Sequence, residues 1–297
     1  MIRSTLLLLW TLAFVSTWAA GPWGDLYLRL AKQEQGVGES SGRYLQWVDQ
    51  VASTCGKPQV GALPEKLQCL RKLVYTGIPL TFDSTAIVDT RYLLPDHLLD
   101  AHQGSCLPTA FLVLMVSERM GITAQPVSLP GHVYVKFPQG INWEPNRAGW
   151  NYTDQEYRTK YNLDASHGRL AKILSPTEFE GMFQFERGNI YRLRNMGLQA
   201  LAAYDVAEPL WQDARIAGNR ALVLDQQGKH GEALHIVDSL WDWGARDEEL
   251  VWNRSVLMLR AGRSAQEVAK VLVDAQNRWV DSPRIRELLQ RLQAAGR

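Results

Sequence analysis

The sequence predicts an α+β core, in which one central helix bearing a cysteine packs on a small antiparallel sheet, followed by an all-α region of helical repeats. Three observations predict it. A wholly apolar run, Ala110 to Val116, follows Cys106. Segments with alternating faces follow between Thr123 and Glu144. The last third of the chain carries a 34-residue period. An all-round apolar helix belongs in a core, and alternation with period two belongs to half-buried strands.

The chain opens on a segment with the make-up of an export signal. Arg3 is its positive region, Leu6 to Val15 its apolar stretch, and Ser16, Thr17, Ala19 and Ala20 the small residues before cleavage after Ala19 or Ala20. The alternative is an uncleaved anchor over residues 5–20, although the apolar stretch is shorter than the roughly 20 residues a full span prefers. Removing Arg3 takes the formal charge from +1 to 0. A charge near neutrality with no Lys/Arg block excludes nucleic acid as an expected partner. No Gly-rich phosphate loop, CxxC or HExxH is present, and His102 beside Cys106 lacks companion ligands, so no cofactor and no metal are expected. The expected compartment is periplasmic, with membrane association only through an uncleaved first segment.

Residues 22 to 75 read as helices, with apolar stripes at Leu26, Leu28, Leu30 and Ala31, at Tyr44, Leu45, Trp47 and Val48, and at Leu67, Leu70, Leu73 and Val74. Gly36 to Ser41 reads as a loop. Cys55 and Cys69 lie on two helices joined by Gly56-Lys57-Pro58. In an exported chain they can pair, closing a short loop and leaving Cys106 as the odd thiol. Three reduced, buried cysteines are the alternative, because spacing does not show whether two sulfurs approach. From Gly77 to Asp89 the chain is extended or irregular, and Pro95 to Ala101 suits a short helix.

Cys106 to Met120 is the clearest helix. Pro108 sits in its first turn, where a missing N–H costs little, and Gly121 suits its end. Strands follow over Thr123 to Leu129, His132 to Phe137 and Ile141 to Glu144. In the second strand His132, Tyr134 and Lys136 share one face; in the third Asn142 and Glu144 point the same way. Antiparallel pairing of these strands presents His132 to Asn142 or Glu144. Arg147 to Ser166 reads as a loop rich in aromatics, Trp150, Tyr152, Tyr157 and Tyr161, with a short helix near Asp154 to Tyr161. These rings either line a substrate groove or pack a long loop on the core.

A capping-box spelling at Ser175-Pro176-Thr177-Glu178 starts a helical region that runs to the end of the chain. Asn219-Arg220 recurs as Asn253-Arg254, and Gly228 as Gly262, both 34 residues on. That is the period of tetratricopeptide repeats; an ordinary bundle with a chance period is the alternative. The second unit departs, with Glu267 where Ala233 maps. Ser175 to Leu210 reads as an irregular leading pair and Arg284 to Leu292 as a solvating cap. The expected divisions are a signal or anchor at 1–20, a core with an N-terminal helical segment at 21–172, and a helical domain at 173–297.

Cysteine at a helix start, histidine on one strand and a carboxylate or amide on the next are what a thiol nucleophile, its base and the base's orienter require. A helix N-terminus and an imidazolium both favour the thiolate. Glu144 or Asn142 would orient the imidazole through its second nitrogen. The backbone N–H of Cys106 and the side chain of Gln103 are candidate oxyanion donors.

With Gly104-Ser105-Cys106 before an apolar helix, then Pro130-Gly131-His132-Val133-Tyr134-Val135, then Asn142-Trp143-Glu144-Pro145, residues 90–165 resemble the transglutaminase-like superfamily, whose core is built as in papain-like cysteine proteases. The superfamily's third motif usually ends in Asp-Pro or Asp-Ala. Here Glu144 stands at that place, so either its strand sits further back or Asn142 orients the histidine. The C-terminal helices add a resemblance to the bacterial subgroup that joins this core to tetratricopeptide repeats. With the export signal, the resemblance implies an exported cysteine enzyme that acts on an amide or peptide carbonyl through a thioester; hydrolysis is favoured over amine transfer because transfer needs a site that excludes water. It also implies a peptide or protein substrate and a protein partner for the repeats. Some members have lost catalysis, so the alternative is a periplasmic binding scaffold with a vestigial triad.

Overall fold

A computed structural model describes residues 21–34, 39–78, 80–82, 89–163, 171–242, 244, 248–278 and 282–295. The export signal read at residues 1–20 lies outside them, as do residues 36–38 of the first expected loop. Among the described residues no helix is long and apolar enough to cross a membrane. The chain divides into two compact units, one formed by residues through 161 together with 171–183, the other by 162–170 and 184–297.

The first unit begins with α1 (Pro22–Glu34), whose buried residues Trp23, Leu26, Tyr27, Leu30 and Ala31 follow the i, i+3, i+4, i+7 pattern of one helical face. Its first turn meets the carboxylate of Glu118, which accepts from the N–H groups of Trp23 (3.1 Å) and Gly24 (3.0 Å). A negative group at a helix N-terminus satisfies orphan donors and meets the positive end of the dipole. Next, α2 (Glu39–Cys55) buries Tyr44, Leu45, Val48, Val51 and Ala52. It starts at Glu39, inside the expected loop at 36–41, so residues 39–41 are helical.

A disulfide joins Cys55, the last residue of α2, to Cys69 on α3 (Leu63–Lys72), with Cα atoms 5.6 Å apart. A π-helical turn over Leu73–Gly77 continues α3 and buries Val74. The two-residue strand β1 (Thr81–Phe82) is paired in parallel, across α4 (His97–Ala101), with β2 (Gln103–Gly104).

Gly104 leads directly into α5 (Cys106–Arg119). From Ala110 to Val116 every residue of this helix is fully buried. Phe111 meets the edges of Trp23, Tyr27 and Phe179, and the Tyr44 hydroxyl donates to Met115 Sδ at 3.2 Å. Gly121 (φ 66°) ends the helix, with Ile122 N–H returning to the Ser117 carbonyl at 2.9 Å.

The sheet that α5 packs on has four strands, with spatial order β5-β4-β3-β6 and every pairing antiparallel. β3 (Gln125–Leu129) and β4 (His132–Lys136) form a hairpin closed by Pro130 and Gly131. Proline fixes the first turn position and Gly131 (φ 67°) supplies the positive φ of the second. β5 (Asn142–Trp143) follows a tight turn in which Phe137 N–H donates to the Ile141 carbonyl (2.8 Å). α6 (Asp154–Lys160) follows, opened by a capping box between Thr153 and Glu156. β6 (Lys172–Ile173) then joins the far edge of the sheet. Two residues are too few for alternation to reveal, so sequence periodicity misses this strand.

α7 (Pro176–Leu193) opens on the expected capping box, with Glu178 N–H donating to Ser175 Oγ (3.2 Å) and Ser175 N–H to Glu178 Oε2 (2.8 Å). Every described regular element of the second unit is a helix. After α8 (Gly197–Leu210), helix pairs follow as α9 (Ala214–Gln226) with α10 (His230–Asp242), then α11 (Glu248–Arg260) with α12 (Ala265–Arg278), and last α13 (Pro283–Ala295). The turn inside each pair is built alike. Gly228 (φ 79°) and Gly262 (φ 83°) take the left-handed position, and Lys229 N–H to the Leu224 carbonyl matches Arg263 N–H to the Met258 carbonyl, each 2.9 Å. Asn195 (φ 58°) plays the same part between α7 and α8, where Met196 N–H returns to the Tyr191 carbonyl at 2.8 Å.

The departure at Glu267 has a simple cause. α12 begins one residue later in its unit than α10 does, so Val268 takes the buried slot of Ala233, and Glu267 instead closes a capping box with Ser264 (2.9 and 3.2 Å). Ala221, Ala233, Val237, Val251, Leu257, Val268, Leu272 and Ile285 form one shared core.

Candidate active site

Cys106 is the first residue of α5, half-exposed, with the thiol free. The residue before it, Ser105, is extended (φ −122°, ψ −177°) and makes no side-chain cap. The first N–H groups of a helix have no intrahelical acceptor, so the sulfur stands where donors and the positive end of the dipole gather. Gly104 allows this approach. A Cβ there would come within 2.5 Å of Leu98 Cδ2 and 3.3 Å of Thr109 Oγ1.

His132, the first residue of β4, is hydrogen-bonded through Nε2 to Glu144 Oε2 at 2.9 Å, and the side chain of Cys106 is close enough to act on its charge. An ionised carboxylate only accepts, so Nε2 carries the proton and donates, which leaves Nδ1 for a second partner. Both partners are almost sealed from solvent, with side chains 4% and 1% exposed. Burial alone would lower the histidine pKa. The interactions with Cys106 and with the Glu144 carboxylate overcome it and raise the pKa to about 9. Burial likewise raises the pKa of Glu144, but the donors around it win and hold the carboxyl below its usual range.

Those donors are three. His132 Nε2 and the Tyr157 hydroxyl (3.0 Å) share Oε2, and Asn146 N–H (3.0 Å) takes Oε1. The backbone encloses the same residue, since Glu144 N–H donates to the Trp150 carbonyl at 3.0 Å and Gly149 N–H donates to the Glu144 carbonyl at 2.9 Å. Gly149 (φ 69°) is required twice over, because a Cβ there would also sit 2.9 Å from the Trp143 ring.

Of the two residues the sequence leaves open as partner of the imidazole, Glu144 makes the contact. Asn142 does not. The register pairs Lys136 with Asn142, four residues along β4 from His132, or roughly 13 Å. Its amide donates instead to the Tyr152 carbonyl (2.7 Å) and Asp154 Oδ1 (2.9 Å), while Lys136 reaches Asp154 Oδ2 at 2.6 Å. Asn142 thus ties down the start of α6. Gln103 lies on β2 with its side chain exposed, and no described hydrogen bond joins it to Cys106.

The aromatic segment closes over the histidine. The Tyr161 ring lies flat on the imidazole, centroids 5.3 Å apart and planes 8° apart. Tyr157 stacks on Tyr134 at 4.0 Å, and Lys160 lies over the rings of Tyr152 and Tyr161. Periodicity marks these tyrosines only as packing or groove lining. The hydroxyl–carboxylate contact of Tyr157 depends on a loop path that local pattern does not encode.

The arrangement can ionise a thiol, hold the imidazolium beside it and return its proton. No curated protein is significantly similar to the chain in sequence. A family model described as transglutaminase-like superfamily matches residues 43–203, more than half of the chain, and spans Cys106, His132 and Glu144. With this match, on a helix-and-sheet core of the form just described, the chain belongs to the transglutaminase-like superfamily.

Proposed function

We propose that this protein is a thiol-dependent acyl enzyme acting on an amide or peptide carbonyl, with water as the favoured acceptor. The observation that carries the reading is the buried His132, hydrogen-bonded to Glu144 and within electrostatic reach of Cys106. In this reading the Cys106 thiolate attacks the carbonyl carbon and the charge moves to the carbonyl oxygen, met by the Cys106 N–H at the helix start. The C–N bond breaks as His132 gives its Nδ1 proton to the leaving amine, and a thioester remains. Water then attacks the thioester and yields its proton to His132. The S–C bond breaks, the acid leaves, and the thiolate–imidazolium pair is restored. Glu144 keeps the imidazole oriented and stabilises its charge throughout. Amine transfer would need a site that excludes water.

Export to an oxidising compartment is part of the proposal, supported by the Cys55–Cys69 bond and by the make-up of residues 1–20. The helix pairs after residue 196 support a second role for the same chain, tetratricopeptide-like docking of a protein partner. The test of the chemistry is to incubate the protein with a library of peptide amides and look by mass spectrometry for an acyl group on Cys106. A thioester adduct absent in Cys106→Ala supports the enzyme. No adduct and no released amine with any member would leave the docking role as the better reading.

A further inference from the structure

We propose that Tyr157 is a positioning residue for the Cys106–His132 pair, its hydroxyl fixing the carboxylate oxygen that holds the imidazole. The inference rests on the thiol-enzyme reading and adds a residue which that chemistry does not itself require. Its basis is geometric. Tyr157 is buried, and its hydroxyl donates at 3.0 Å to the same Oε2 that accepts from His132 Nε2 at 2.9 Å. The other oxygen is held by Asn146 N–H, so Glu144 has no freedom to rotate away from the histidine.

The ring is fixed as firmly as the hydroxyl. It stacks on Tyr134 with planes 11° apart and meets the edge of Tyr152 at 5.6 Å. The Thr153–Glu156 capping box and the Asn142–Asp154 bond set the start of the helix that carries it. Burial, then the charge of Glu144, push the phenol far above its ordinary pKa, so it is always a donor. Tyr134 faces this group from β4 and Tyr161 from the end of α6, and His132 shares its carboxylate oxygen. Lys136 is paired with Asp154, and Lys160 lies over the outer tyrosine rings.

The test reads the charge on His132 directly. Iodoacetate is an anion and is drawn to an imidazolium beside the sulfur; iodoacetamide is neutral. The ratio of their labelling rates at Cys106 therefore falls as His132 loses its proton. In the wild-type chain the midpoint is expected near pH 9. Tyr157→Phe keeps the ring stack and removes the donor, and its midpoint should fall by roughly one unit with the melting temperature little changed. Tyr152→Phe removes a hydroxyl that does not touch Glu144 and should leave the midpoint in place. Asn142→Ala, which loosens the start of α6, should move it down by less, and serves if Tyr157→Phe does not fold. A lowered melting temperature with an unmoved midpoint would reduce Tyr157 to a packing residue and overturn the inference, as would a midpoint that rises. A wild-type ratio that never changes with pH would instead remove the thiol-enzyme reading itself.

Discussion

The carboxylate of Glu144 and the imidazole of His132 depend on each other, and the dependence has a definite sign in pH. The folded state raises His132 to about 9 from an ordinary value near 6.5. Stability from that charge is therefore fully present below about pH 6.5 and is lost as pH rises through about 9. Glu144 runs the other way. Its pKa is lowered, so its share is present above the ordinary carboxylate range and lost as the solution is acidified through the folded value. Chemical denaturation of wild type and His132→Gln across pH 6 to 10 checks the first. The difference in stability should shrink by about 2 to 3 kcal/mol over that span; a constant difference would contradict it. The choice between Glu144 and Asn142 was not legible in the sequence, for a reason at this same scale. Both side chains point to one face, and only the register, which pairs Lys136 with Asn142, decides which reaches His132. The longer Glu side chain is accommodated because the chain turns at Pro145 and brings the Asn146 N–H back to its far oxygen.

At the scale of elements, α5 organises the first unit. It is apolar on every side, and it presents Cys106 at one end and Glu118 near the other, where the carboxylate caps α1. Leu112→Ala, in the fully buried middle, should cost about 2 to 5 kcal/mol and show as a lowered melting temperature. Glu118→Gln should cost about 1 kcal/mol, read from urea midpoints, because two N–H groups of α1 lose a charged acceptor. This helix, the β3–β4 hairpin and the capping boxes at 153–156, 175–178 and 264–267 follow rules that act within a few residues. β1, β2 and β6 obey no local rule. Each is two residues long and exists because a partner distant in sequence supplies its hydrogen bonds. The offset at Glu267 is likewise visible only once the helix starts are known, since one added turn residue moves the buried slot to Val268.

For the whole molecule, the disulfide is the one covalent constraint beyond the backbone among the described residues, and it closes a short loop between α2 and α3. Replacing Cys55 and Cys69 together by serine should cost about 3 kcal/mol. Labelling of Cys106 should stay unchanged, because the bridge makes no contact with His132 or Glu144. A loss of Cys106 reactivity in the folded double variant would show that the bridge shapes the site. Fold class was legible because buried helices and alternating strands write their periods into the sequence. The places of Cys106 and His132 were legible because a cysteine at a helix start and a histidine at a strand start are positions, not contacts. The contacts of Tyr161 with the His132 ring and of Tyr157 with Glu144 were not, since they depend on the path that brings α6 and its end back onto the sheet.

The account's central claim is that Cys106 and His132 form a thiolate–imidazolium pair. The most direct measurement is the pH dependence of Cys106 alkylation by iodoacetamide in wild type and in His132→Ala. The account predicts fast labelling well below a thiol's ordinary pKa of about 8.5, lost in the variant. Slow labelling that rises only near that pKa, with the same profile in both proteins, would contradict it.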